Sequence, residues 1–316
     1  MSEHDRVWNE LLADAGSFRI DMEQFRRLEP AFRSWDAGFF NACAEKALDS
    51  DFPLDDVRNK LKPGEFEKFL FLCITANFHR AGEIYRRKGW PREMVDEIRG
   101  DFRLWAETGV RDFGFCGLSP RLFSWSVQCL TGEVKQFGRL QCNDIHFFEL
   151  ELSLYRQADG SVKALPCFQR GNPPHPDLTF RDRAVNLHIP ASGPLKREEC
   201  LDSIRRMCRF SQEFHPDYDF RAVVCYSWLL DPLFQTFLAP GSNIVQFQKL
   251  GHLLTCPGRD QTQEVIWRLW GLPGRERPFD ELPARTALER GVVEHLKKGG
   301  RFEEGLLVIF RDELNF

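Results

Sequence analysis

Through the first 130 residues apolar side chains recur every three or four positions, the spacing of helices that bury one face. In residues 4–15 the repeat is Val7, Leu11 and Leu12, and residues 22–28 and 39–48 continue it. Asp51 near Pro53, followed by acidic residues, opens a helix over 51–61 that Pro63-Gly64 closes. The strongest helical pattern spans 65–88. There Phe66, Phe69, Leu70, Cys73, Ile74, Phe78, Ala81 and Ile84 form a stripe broad enough for a helix buried inside a bundle. Gly89 ends that helix, and Pro91 opens the next, which carries Met94, Ile98, Phe102, Leu104 and Trp105. Ser119 as cap and Pro120 at the first position predict one more helix to Thr131. No segment here alternates with period two, so a helical bundle is expected.

After Gly132 the pattern changes. Residues 137–148 and 149–157 read as strands, with Leu150, Leu152 and Leu154 alternating against Glu149, Glu151 and Ser153. Asp159-Gly160 marks a hairpin turn into a strand over 161–168, and a loop rich in Gly, Pro and His follows at 170–177. A strand at 185–189 then meets a Gly/Pro turn and a long amphipathic helix, 197–214. A buried strand at 222–228, a short helix at 231–238 and a strand at 243–247 come next. Helices are expected over 261–270 and 285–298, with a long loop over 271–283 between them, and 306–310 (LLVIF) is a strand that rejoins the sheet. The expected fold class is α+β. A helical N-terminal domain occupies residues 1–130, and a mixed sheet flanked by helices occupies 131–316. Sheets of this kind place ligands at the carboxyl ends of strands, where turns meet helix N-termini, so a site is expected between Val185 and Phe247.

Composition narrows the function classes. The net charge is −4, which argues against a dominant nucleic-acid footprint. The longest apolar run, FLFLCITANF at 69–78, is too short to span a bilayer, so no membrane partner is expected. The N-terminus lacks a secretory pattern, and the ten cysteines form no C-x-x-C pair. Reduced, buried thiols in a cytoplasmic protein follow, with no metal site, because no Cys/His cluster has ligand spacing. The 29 phenylalanines suit large packed cores. Arg80, Arg86, Arg87 and Lys88 place cations near one helix end, where the helix dipole favours them.

The strings GRLQ (138–141), HIPASGPL (188–195), YSWLLDP (226–232) and SNIVQFQ (242–248) resemble a bacterial acyltransferase-domain family. Its members pair a helical N-terminal region with a C-terminal domain similar to the GNAT N-acetyltransferase fold. The resemblance implies a GNAT-like sheet and transfer of an acyl group from an acyl-CoA or acetyl-CoA co-substrate to an amine or hydroxyl acceptor. An acyl-carrier protein is the alternative donor. The thioester would lie between the strands at 185–189 and 222–228, against Ile189, Pro190, Ala191, Ser192, Gly193, Lys196 and Arg197. The usual GNAT phosphate loop, Q/R-x-x-G-x-G/A, is replaced here by ASGPLKRE. Pro194 removes an N–H donor. Glu198 and Glu199 in the first helical turn repel a pyrophosphate, an effect that Lys196 and Arg197 offset in part.

Such transfer needs a base for the acceptor and an acid for the leaving thiolate. His188, on the strand just before the turn, is the candidate base. Tyr226 and Ser227 are hydroxyls that could protonate a thiolate or bind the acyl carbonyl. Asp231, before Pro232, reads as a helix cap or a second base. Cys225 offers a nucleophile beside His188, and His175 could reach a pocket mouth. Each of these residues also has a plain structural reading, as a core ring, a turn hydrogen bond or a cap. Two function classes therefore stay open at the level of sequence: an acyltransferase, and a catalytically silent GNAT-like module that binds a ligand or protein.

Overall fold

The computed structural model describes residues 2–18, 20–49, 51–146, 152–167 and 169–314. The chain divides into two compact units, Met1–Gln136 and Phe137–Phe316.

The first unit is helical. Its helices are α1 (Glu3–Ser17), α2 (Met22–Arg26), α3 (Glu29–Ser34), α4 (Ala37–Lys46), α5 (Leu54–Lys60), α6 (Phe66–Arg87), α7 (Glu93–Phe113) and α8 (Pro120–Thr131). Ser2 and Asp5 close a reciprocal capping box on α1, and Ser119 caps α8. Helix α6 is buried on every side along Phe69–Ile74, as the central helix of a bundle must be. Phenylalanine rings cement it to its neighbours, with Phe71 stacked on Phe102 at 5.2 Å and Phe40 edge-on to Phe69 at 5.5 Å. The basic end of α6 is tied down locally: Arg80 donates to the Glu45 carbonyl, and Lys88 to the Thr131 carbonyl.

A six-stranded mixed sheet organises the second unit, in the order β1-β2-β5-β6-β8-β7. The strands are β1 (Lys135–Phe137), which straddles the unit boundary, β2 (Leu140–His146), β5 (Arg183–His188), β6 (Ala222–Ser227), β7 (His252–Asp260) and β8 (Glu303–Phe310). Strands β3 (Leu152–Arg156) and β4 (Val162–Pro166) form a separate hairpin. Its turn is the expected Asp-Gly: Gly160 has φ +81° and Asp159 accepts the Ser161 N–H. The helices are α9 (Arg197–Phe214), α10 (Asn243–Gln248), α11 (Thr262–Arg275) and α12 (Ala287–Lys297). The α+β layout, a helical half followed by a mixed sheet with flanking helices, is as the sequence predicts.

Four local expectations are corrected. Residues 243–247 form α10, not a strand. Ser242 caps it by accepting the Val245 N–H, and this overrides the β-branched run Ile244-Val245. Strand β7 was not anticipated, because Pro257-Gly258 reads as a break. The strand absorbs the pair in a register shift between Cys256 and Asp260, with Gly258 at φ +84°. The expected loop from 271 is helical to Arg275, after a break at Gly271. The strand expected over 137–148 is split by a tight turn at Gly138, φ +65°. Residues 147–151, where part of the alternating pattern fell, lie outside the described residues, as does Phe168 at the end of the next expected strand.

Candidate functional site

Strands β5 and β6 run parallel, in register from Ala184↔Ala222 to Leu187↔Cys225. The pairing stops there. His188 ends β5, while β6 continues through Tyr226 and Ser227 against β8. The two strands therefore part at their carboxyl ends, where the sequence places the site.

Side-chain alternation sorts the candidates between the two faces of the sheet. Ala184, Ala222, Val224, Leu306 and Val308 belong to one apolar cluster, with the β3–β4 hairpin packed on it through Leu154, and Tyr226 lies against that cluster. Asn186, His188 and Tyr226 thus share this face. The antiparallel partners Gln141↔His188 and Asn143↔Asn186 add two amides to it. The Nε2 of His188 lies 2.7 Å from Asn143 Oδ1 and 3.4 Å from Asn186 Nδ2. With Asn143 Oδ1 as acceptor, Nε2 carries the ring proton and the other ring nitrogen holds the lone pair. Burial pushes the His188 pKa down to about 4, so the imidazole is neutral at physiological pH. Asn186 is only 9% exposed, and its Oδ1 is buried with no hydrogen-bond partner among the described residues. Glu304 falls on this face two residues from Leu306, the partner of Tyr226. It pairs with Arg259 at 2.9 Å.

The other candidates do not join this cluster. Cys225 alternates onto the opposite face, next to Cys200 of α9, and burial pushes its thiol well up, so it is neither beside His188 nor ionised. Ser227 shares that opposite face, and its hydroxyl accepts the Leu229 N–H at 3.1 Å, a turn bond. Asp231 is buried, and both carboxylate oxygens are engaged. Oδ1 accepts from Leu233 N–H at 2.9 Å and Oδ2 from Glu303 N–H at 2.8 Å. The carboxylate thus caps a short 3-10 turn and clamps it to β8. His175 is exposed in its loop.

The turn from Ile189 to Lys196 leads into α9. Gly193 adopts φ +128°, a conformation that only glycine takes without strain. Among the described residues, the N–H groups of Ala191, Ser192, Gly193 and Leu195 donate to no other backbone group. Helix α9 begins without a side-chain cap, so its first-turn N–H groups also face outward. Lys196 is an ion-pair partner of Glu199 at 2.8 Å, while Arg197 is exposed. Arg139 lies beneath this turn and donates to the carbonyls of Pro190, Gly193 and Pro194. The residues missed from sequence are therefore Arg139, Asn143, Asn186 and Glu304. Only Arg139 carried a signal, as part of the GRLQ string. A surface cleft of about 280 Å³ lined by Cys208, His215, Tyr218 and Arg311 lies at the far end of α9 and does not belong to this site.

Among the described residues no group of His, Cys, Asp and Glu could hold a metal, and no helix is long and apolar enough to cross a membrane.

Residues 134–307 match the GNAT-like C-terminal domain. No curated protein matches the chain. Several solved structures do. A structure of an acyltransferase in complex with decanoyl-CoA is 21% identical, covers 93% of this chain and 85% of its own, and has a TM-score of 0.64. An acyltransferase mutant in complex with octanoyl-CoA is 20% identical, with the same coverage and a TM-score of 0.66. An acyltransferase in complex with CoA and 10C-teicoplanin is likewise 20% identical, covers 93% of this chain and 85% of its own, and has a TM-score of 0.66. At this identity the likeness is one of fold.

Proposed function

Because this chain belongs to the GNAT-like C-terminal domain family, we propose that it is an acyltransferase that moves an acyl group from an acyl-CoA thioester to an amine or hydroxyl acceptor. The observation that carries this reading is the parting of β5 and β6 beside a turn with outward N–H groups and a neutral histidine. The acyl-CoA complexes of proteins with the same fold support the choice of donor.

The groups present suit that donor. The outward N–H groups of Ala191, Ser192, Gly193 and Leu195, with the uncapped start of α9, offer donors and a positive dipole end to phosphate oxygens. The unpaired edge of β5 at His188–Ile189 offers backbone groups to the pantetheine amides. Arg197 supplies an exposed cation.

In the transfer step a bond forms between the acceptor nitrogen or oxygen and the acyl carbon, and the carbon–sulfur bond breaks. His188 takes the acceptor's proton. Its low pKa means that no proton has to leave it before turnover. It also means that the proton moves only as the new bond makes the acceptor acidic. Tyr226, on the same face in the extended β5–β6 register, returns a proton to the departing sulfur. Ser227 and Asp231 hold the turn that follows β6, and their roles are positional.

A second reading, a silent binding module, is favoured by Pro194, which lacks an N–H, and by Glu199, which pairs with Lys196. Calorimetry with acetyl-CoA, octanoyl-CoA and free CoA, followed by turnover with amine and hydroxyl acceptors, separates the two. Binding with turnover that His188→Ala abolishes supports the enzyme. Binding without turnover under any acceptor supports the module. An acyl-carrier protein would present the same pantetheine thioester, and binding of acyl-carrier protein with no binding of CoA would replace the donor in this reading.

A further inference from the structure

The turn between β5 and α9 has no internal backbone hydrogen bonds to hold its shape. It contains two prolines, a glycine at φ +128°, and N–H groups that bond no other backbone group among the described residues. Its order comes from Arg139. That side chain is 9% exposed, and its planar fork donates to three carbonyls of the turn: Nη1 to Pro190 at 3.0 Å, Nη2 to Gly193 at 2.7 Å and Nε to Pro194 at 3.0 Å. Arg139 is itself fixed from the chain on either side. Gly138 makes the tight turn before it, at φ +65°. The N–H groups of Arg139 and Leu140 both donate to Ser203 Oγ, at 3.0 and 3.2 Å, and that hydroxyl donates to the Glu199 carbonyl of α9 at 2.9 Å.

The consequence follows from peptide geometry. In a trans peptide the C=O and the N–H of the same unit point in opposite directions. Drawing the Pro190 carbonyl to Arg139 turns the Ala191 N–H away from it. Drawing the Pro194 carbonyl turns the Leu195 N–H away. The Gly193 carbonyl belongs to the unit whose nitrogen is Pro194, so that unit has no N–H to present, and anchoring its carbonyl is the use left to it. Pro194, which weakens the turn as a phosphate cradle, is thereby built into its support.

We infer that Arg139 is the positioning residue of the donor turn: by holding three carbonyls on the inner side, it presents the N–H groups of Ala191 and Leu195 to the phosphates of the acyl-CoA. This rests on the acyl-CoA reading above for the identity of the ligand, but not for the shaping of the turn. A lysine at this position cannot replace it, because a point charge on a flexible stem does not span three carbonyls.

The test compares the full-length protein with Arg139→Ala and Arg139→Lys. Backbone ¹⁵N relaxation reads the order of Ala191–Gly193 and Leu195, and kinetics with acyl-CoA read KM and kcat separately. In both variants the turn should lose order while the spectrum of the sheet is kept. KM for acyl-CoA should rise about ten- to a hundredfold, the scale of losing one or two positioning hydrogen bonds, with kcat about unchanged. Added guanidinium ion should lower KM for Arg139→Ala and not for the wild type. A turn as ordered as the wild type in both variants, a loss in kcat without a change in KM, or a wild-type-like Arg139→Lys would overturn the assignment. If Arg139→Ala does not fold, Arg139→Lys carries the comparison. If the wild type binds no acyl-CoA, the donor reading falls, and the relaxation measurement alone decides the role of Arg139.

Discussion

His188 shows what burial does to a single group. Its pKa of about 4 lies below the value of 6.5 for an exposed imidazole. The folded state therefore resists protonation where the unfolded chain accepts it. The stability linked to His188 is complete above pH 6.5 and is lost as pH falls from 6.5 towards 4. The shift of about 2.5 units corresponds to roughly 3 kcal/mol. Urea unfolding at pH 7, 5.5 and 4.5 should show this decline, and His188→Gln should flatten it. The acid limb of kcat/KM should lie near pH 4; a limb near 6.5 would mean that the imidazole is not desolvated. Asp231 gives a contrasting case. Its two oxygens satisfy two backbone N–H groups, so Asp231→Ala should cost about 2–3 kcal/mol in chemical denaturation while leaving KM nearly unchanged. The sequence marked both residues. It could not decide their roles, because capping and catalysis use the same carboxylate, and only the positions of Leu233 and Glu303 separate them. Asn143 and Asn186 had no marking at all, since two amides on different strands meet only through the β2–β5 register.

At the scale of elements, the strand–turn–helix–strand unit was legible because its signals agree with one another: a short apolar run, a Gly/Pro turn, and an amphipathic helix. The failures fall where signals conflict. Residues 243–247 are β-branched and aromatic enough for a strand, yet Ser242 and the preceding Pro240-Gly241 turn commit them to helix. Its residue Gln248, 1% exposed, then donates to the carbonyls of Leu229 and Asp231, which ties α10 to the turn after β6. The family strings YSWLLDP and SNIVQFQ are therefore scaffold for the end of β6. Gly305 completes that packing. A Cβ there would sit 2.0 Å from the Leu230 carbonyl oxygen, a backbone atom that cannot swing aside. Gly305→Ala should destabilise by about 1–3 kcal/mol or more, read as a lowered midpoint in denaturant.

For the whole molecule, the change from helical to strand-like patterning placed a domain boundary near residue 130, and the compact units meet at Gln136 and Phe137. The helical half was legible because its phenylalanines repeat at helical spacing and fill one core. The sheet order was not legible from pattern alone: β8, last in sequence, inserts between β6 and β7, and only the resemblance suggested a final strand rejoining in this way. The function rests on the place where β5 and β6 part, and on the turn beside it that Arg139 shapes. Titration calorimetry of octanoyl-CoA into the folded protein tests that most directly. Saturable one-to-one binding, weakened about tenfold or more by Arg139→Ala, is the expected result. No binding of octanoyl-CoA, acetyl-CoA or free CoA by protein that melts cooperatively would contradict it.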